Sequence, residues 1–148
     1  MSFEEILHHA TTDALIYVDD HEFNVAGIEK VKLANGDHVI WMWSSEGDWL
    51  IIDQHSDELM FLHRVEDEVT LEDDYVTYLG GNYEVAEEDQ GAVEEVSGET
   101  EHEIKDAFEV KHLEGEKGAV MRGLTWIGYG EELWYCGKML EEDDVHVS

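Results

Sequence analysis

The chain reads as a succession of short β-type runs separated by tight turns. "ALIYV", "EFNVAGIEKVKL", "VIWMW" and "WLIID" are rich in β-branched and aromatic residues, and "KVKL" alternates in polarity. Proline is absent, so the turns between runs fall to Gly, Asn and Asp. Asn35-Gly36, between "KVKLA" and "DHVIWMW", is the strongest short hairpin signal, because both residues accept positive φ. "SSEGD" reads as a second turn, and "ELMFLHRV" as the partner of "WLIID" across "QHSD". The run "EDEVTLEDD" at 66–74 reads as a connection. The second half continues in the same way. "YVTYLGGNYEVAEE" offers two strands across Gly80-Gly81, and "AVEEVSGETEHEI" two more across Ser97-Gly98. "FEVKHL", "AVMRGLTWIGY" and "ELWYCGKML" close the pattern.

The expected fold is therefore mainly β, a compact antiparallel sheet or barrel-like single domain over 1–148. Two similar half-units, 13–65 and 75–140, are suggested by short matches. Phe23-Asn24-Val25-Ala26 resembles Tyr83-Glu84-Val85-Ala86, and "DELMFL" at 57–62 resembles "EELWYC" at 131–136. Ser2 and Glu5 form a capping-box pattern, followed by Phe3, Ile6, Leu7 and Ala10 at helical spacing. A short N-terminal helix over 3–11 is predicted, and a frayed acidic tail over 141–148.

Within "VIWMW", Val39, Trp41 and Trp43 point one way and Ile40 and Met42 the other. An apolar residue on both faces is the mark of a strand covered on both sides. The competing reading is an exposed aromatic groove made by Trp41, Trp43 and Trp126.

Charge sets the partner class. Thirty-eight Asp and Glu face eight Lys and Arg, for a net charge of −30. Neutralising phosphates needs basic residues, so direct nucleic-acid binding and attachment to anionic membranes are disfavoured. A basic protein partner, polyamines or divalent cations fit electrostatically. From Val65 to Ile104 there are 15 Asp and Glu and no Lys or Arg. Glu99, Glu101 and Glu103 alternate, and in an extended segment they would share one face about 7 Å apart. With Glu94 and Glu95 they form the candidate acidic docking face. Solubility in a salty cytoplasm and mimicry of nucleic acid are the other two explanations of the acidity.

Catalytic and metal motifs are weak. One cysteine, Cys136, excludes an intramolecular disulfide, fits a reducing, cytoplasmic compartment, and sits in an apolar strand pattern as a packing residue. The N-terminus lacks the basic flank and apolar run of a signal peptide, and no later run is long enough to span a bilayer. Nine histidines include the adjacent His8 and His9, which diverge on a helix, and His63, which could meet His55 and Asp57 across a hairpin. No H-E-x-x-H motif, cysteine cluster, G-x-S-x-G elbow or EF-hand spacing occurs. No catalytic residue, cofactor or metal is expected.

This layout resembles the domain of unknown function 4178 family of bacterial and archaeal proteins. "ALIYVDDHEFNVAG" is similar to that family's opening strands, and "HVIWMWSSEGDWLIIDQHSDELMFL" to its hairpin ending in Trp-Leu and a short acidic turn. "NYEVAEEDQGAVEEVSGE" is similar to its second opening, and "GLTWIGYGEELWYCGKML" to its closing strands, with Gly137 near the end. The resemblance spans 13–145 and implies a compact β-rich fold with no reaction to carry over. It also implies an accessory role beside membrane-stress and polyamine-related proteins. The extreme acidity departs from the family pattern. The function expected is a non-catalytic binding or accessory protein acting through its acidic surface. The alternative is an acidic nucleic-acid mimic that inhibits a DNA-binding protein, and the third reading is a small enzyme or metal-binding protein.

Overall fold

The structure, a computed structural model, describes residues 5, 6, 8, 11, 15–100, 102–130 and 132–147. Among these the chain forms β1 (Leu15–Val18), β2 (His21–Leu33), β3 (His38–Ser44), β4 (Trp49–Asp53), β5 (Glu58–Arg64) and β6 (Tyr75–Tyr78). It continues with β7 (Gly81–Gly98), β8 (Ala107–Glu114), β9 (Ala119–Trp126), β10 (Glu132–Met139) and β11 (Val145–Val147). Eight of them close into an antiparallel barrel in the order β2-β3-β4-β5-β10-β9-β8-β7, sealed by the β2–β7 pairing. Closure leaves these strands no free edge inside the barrel wall.

The barrel interior is packed with side chains. Val31, Trp41, Trp49, Ile51, Met60, Leu62, Val93, Phe108, Leu124, Trp126 and Tyr135 form one cluster with contributions from all eight barrel strands. Trp41 is 1% exposed at its centre, within 4.9 Å of the Trp49 ring and 4.5 Å of the Phe108 ring. Truncating a side chain of this size in a core typically costs about 3–5 kcal/mol. Met42, Leu50, Ile52, Leu59 and Phe61 point outward from β3, β4 and β5 and pack with Ile16, Val18, Phe23 and Val145. Leu113, Met121 and Trp134, outward on β8 to β10, pack with Val65 and Val76 and with Val69 and Leu71 of the 65–74 connection. The apolar residues on both faces of "VIWMW" thus serve two cores, one inside the barrel and one on its outer wall.

The two halves run through the same connections. A short hairpin (β1–β2, β6–β7) leads into a four-stranded meander (β2–β5, β7–β10). Phe23 and Tyr83 each pair with the short strand of their own hairpin, Phe23 with Ile16 and Tyr83 with Val76. The match of 57–62 to 131–136, taken residue for residue, sets opposite faces against each other. Met60 points into the barrel and Trp134 out of it; Phe61 points out and Tyr135 in.

Three expectations are corrected. No α-helical element is delineated among the described residues. Glu5, Ile6 and His8 have helical backbone, and the rest of the 3–11 span, apart from Thr11, lies outside the described residues. The expected turn at Ser97-Gly98 is absent: β7 runs unbroken for 18 residues and ends at Gly98. The length follows from its two neighbours, since its first half pairs with β8 and its second half with β2. The tail at 141–148 is not frayed through its described part. A 3-10 turn at Glu142–Asp144 leads into β11, which pairs with β1, and Val145 is fully buried.

At the barrel end that carries the β2–β3 and β4–β5 turns, Arg122 and His112 point inward side by side. Arg122 Nε donates to His112 Nδ1 at 3.1 Å, and the guanidinium lies 6.0 Å from the Trp49 ring. Burial pulls the Arg122 pKa down to about 10, opposed by Glu58, Asp89, Glu87 and Asp53 around that opening. Burial, helped by Arg122, drives His112 down to about 4.

Candidate functional site

The opposite mouth holds the more distinctive arrangement. Glu29 lies on β2, two positions before the core residue Val31, so strand alternation directs its carboxylate into the barrel. It is completely buried. A buried carboxylate is tolerated only with hydrogen-bond partners, and both its oxygens have one. Trp43 Nε1 donates to Oε1, and His102 Nδ1 lies 2.9 Å from Oε2.

These two partners come from separate parts of the fold. Trp43 is on β3 and its ring stacks on Trp49 at 5.0 Å and 13°. His102 belongs to the β7–β8 connection, and its ring stacks on Trp126 at 3.6 Å and 17°. That connection is secured by Thr100, whose Oγ1 donates to the His102 carbonyl at 2.8 Å. Glu29 therefore ties a loop, an indole and the barrel wall into one polar cluster inside an aromatic shell.

Above this cluster opens a cavity of about 560 Å³. Trp43, His102, Leu133 and Tyr135 line it, with Glu46, Glu66, Glu99 and Arg64 among its polar groups. The Arg64 guanidinium lies 5.8 Å from the Tyr135 ring centre. Among the described residues, three carboxylates and one guanidinium line the cavity, and the Glu29 carboxylate lies buried beneath it. Aromatic faces and carboxylates together suit an organic cation: the ring quadrupole attracts positive charge, and the carboxylates pair with it. Barrel mouths are a common location for such sites.

The residues singled out in the sequence are dispersed. Trp41 and Trp126 are buried inside the barrel at 1% and 3% exposure, so they form no open groove. Trp43 alone of the three reaches the mouth. Glu94 pairs with His38 at 2.8 Å, and Glu95 stands on β7 opposite Lys30 of β2. Glu99 lines the mouth, and Glu103 is exposed on the β7–β8 connection. Glu101 lies outside the described residues. The shared face expected for Glu99, Glu101 and Glu103 rests on extended backbone. Instead β7 stops at Gly98, where φ is 76°, and a turn follows at Ile104-Lys105. The long stretch without basic residues is also compensated in space, because β7 lies against Lys30 and Lys32 of β2.

The expected meeting of His55 with His63 does not occur. His55 lies 3.6 Å from Asp37, whereas His63 meets Asp48 and His21. Cys136 is half-buried, and burial raises its pKa, which keeps it a thiol. The residues that sequence reading missed are Glu29, His102, Asp48 and His21. Glu29 carried a signal: in "EKVKL" it occupies the same alternation phase as Val31 and Leu33, an acid where an apolar residue belongs. Among the described residues, no helix is long and apolar enough to cross a membrane. No family model, curated protein or solved structure matches the chain.

Proposed function

We propose that this is a non-catalytic binding protein that docks a basic partner through its acidic surface and receives a cationic group of that partner in the barrel mouth. The observation that carries the reading is Glu29, a fully buried carboxylate held by Trp43 and His102 beneath an aromatic cavity edged with carboxylates. A Lys or Arg side chain, or an organic amine, would enter the cavity beside Trp43 and meet Glu46, Glu66 or Glu99. The resemblance to the domain of unknown function 4178 family adds the setting, an accessory role beside membrane-stress or polyamine-related systems.

The test is a fluorescence titration with an oligolysine peptide and with spermidine, at low and then moderate salt. The site reading expects saturable binding that weakens with salt. Trp43→Ala, and the combined change of Glu46, Glu66 and Glu99 to Gln, should each lower affinity at least tenfold. A control change of the exposed Glu88, Glu109 and Glu116 to Gln removes the same charge elsewhere and should have little effect. Equal losses from the two triple variants would reduce the interaction to general charge attraction, and no binding at low salt would end the proposal.

A further inference from the structure

A second cluster lies outside the mouth, where three separate pieces of chain converge. His21 opens β2, Asp48 ends the β3–β4 turn and His63 lies near the end of β5. His21 Nε2 is 3.2 Å from Asp48 Oδ2, and His63 Nδ1 is 2.9 Å from Asp48 Oδ1. One ligand-type atom from each residue lies within 4.8 Å of the others. We propose that His21, Asp48 and His63 bind a divalent transition-metal ion of the zinc type, with the remaining coordination position open to solvent.

The donor set selects the ion. Two imidazole nitrogens and one carboxylate oxygen suit Zn²⁺ and its first-row neighbours, whereas Ca²⁺ and Mg²⁺ favour all-oxygen sites. The spacing fits as well. Bonds of about 2.0–2.1 Å in tetrahedral geometry place ligand atoms about 3.3 Å apart; each histidine lies near that distance from a different Asp48 oxygen, and one atom from each of the three residues lies within 4.8 Å of the others. Small rotations of two imidazoles would admit the ion between atoms that already converge.

The surroundings meet the further needs of such a site. Asp48 is held from behind: its backbone N–H donates to Ser44 Oγ at 3.0 Å, and its carbonyl accepts from the Ser44 N–H at 2.9 Å. Both imidazoles pack against the Phe61 ring, at 5.3 and 4.6 Å between centres, which limits their rotation. These contacts fix the backbone of Asp48 and the positions of the two imidazole rings. The Asp48 side chain is 10% exposed, while His21 and His63 are 43% and 49% exposed. The ion would therefore enter from the solvent side through the adjoining surface hollow, which Asp19, Asp20 and Lys138 line, with Lys138 paired to Asp19. As a polar fastener alone, joining two histidines across the sheet, Asp48 would confer no affinity for metal.

The experiment uses untagged full-length protein, stripped with a chelator and titrated with Zn²⁺ by calorimetry in excess Mg²⁺. Magnesium occupies the many surface carboxylates without competing for imidazole. The proposal expects one saturable site per chain, a rise in Tm on saturation, and a visible Co²⁺ spectrum of tetrahedral type. His21→Gln and His63→Gln should each weaken Zn²⁺ binding at least tenfold and abolish the Co²⁺ bands. Far-UV circular dichroism checks that both variants keep the β spectrum. His21, exposed at the start of a strand, is the safer substitution should His63→Gln lose its fold. Zn²⁺ affinity unchanged in either folded variant overturns the assignment, as does binding that Mg²⁺ removes. The mouth proposal is untouched by either result, since its probes carry no metal.

Discussion

Two inward-facing residues, Glu29 and His112, show opposite ways of surviving burial. Glu29 keeps both carboxylate oxygens bonded, to an indole and to an imidazole. His112 lies beside a cation instead, with Arg122 Nε donating to it. Burial and that neighbour lower its pKa from 6.5 to about 4. Above pH 6.5 the ring is neutral in both folded and unfolded chains, so it contributes no pH dependence there. Between 6.5 and about 4 only the unfolded chain takes up the proton, so folding stability falls as pH falls through that window. The loss is at most about 3 kcal/mol. Urea unfolding of wild type and His112→Gln, followed from neutral pH to about pH 4.5, should show the variant gaining on the wild type as the solution is acidified. A gap that stays constant with pH would remove His112 as the source.

At the β5–β10 seam two backbones approach closely at a glycine. The seam joins the two meanders, and Gly137 of β10 pairs with Leu62 of β5. A Cβ placed on Gly137 would lie 1.8 Å from the Phe61 carbonyl oxygen, a backbone atom that cannot swing aside. Gly137→Ala must therefore push β10 off β5. The expected cost is about 1–3 kcal/mol, the usual penalty for overpacking, read as a lower midpoint in denaturant titration. A variant that unfolds with the wild-type midpoint would show that the strands are not in such close contact. The outer layers depend on pairings of the same kind: β11 pairs with β1 and places Val145 against Ile16 and Val18.

A net charge of −30 works against compactness. Among the described residues, few ion pairs offset it directly. Lys138 pairs with Asp19, and Lys111 with Glu132 at 3.2 Å, all on exposed or half-exposed side chains. Exposed pairs of this kind are worth at most about 1 kcal/mol each. Stability rests on the packed barrel interior and the two outer cores. Raising NaCl to about 0.5 M should screen the residual repulsion and increase Tm, by about 2–4 °C for each kcal/mol relieved. A Tm that is flat or falling with salt would mean that attractive pairs already balance the repulsion.

The strands and most of the turns are legible in the sequence. Alternation in "KVKL", the double-faced "VIWMW" and the Gly, Asn and Asp turns are local signals, set by side-chain direction and backbone freedom over a few residues. The same locality explains the errors. The dipeptide Ser97-Gly98 reads as a turn, yet β7 needs its full length to pair with β8 and then with β2. The acidic tail has little apolar pattern, and its order comes from pairing with β1. Both candidate sites are assembled by tertiary structure alone. Glu29 and His102 are 73 positions apart, and Asp48 lies 27 residues from His21 and 15 from His63. Such meetings depend on which strands close the barrel and in what register. Those choices are made by the burial of whole faces, a sum over the entire chain that no short stretch of sequence contains.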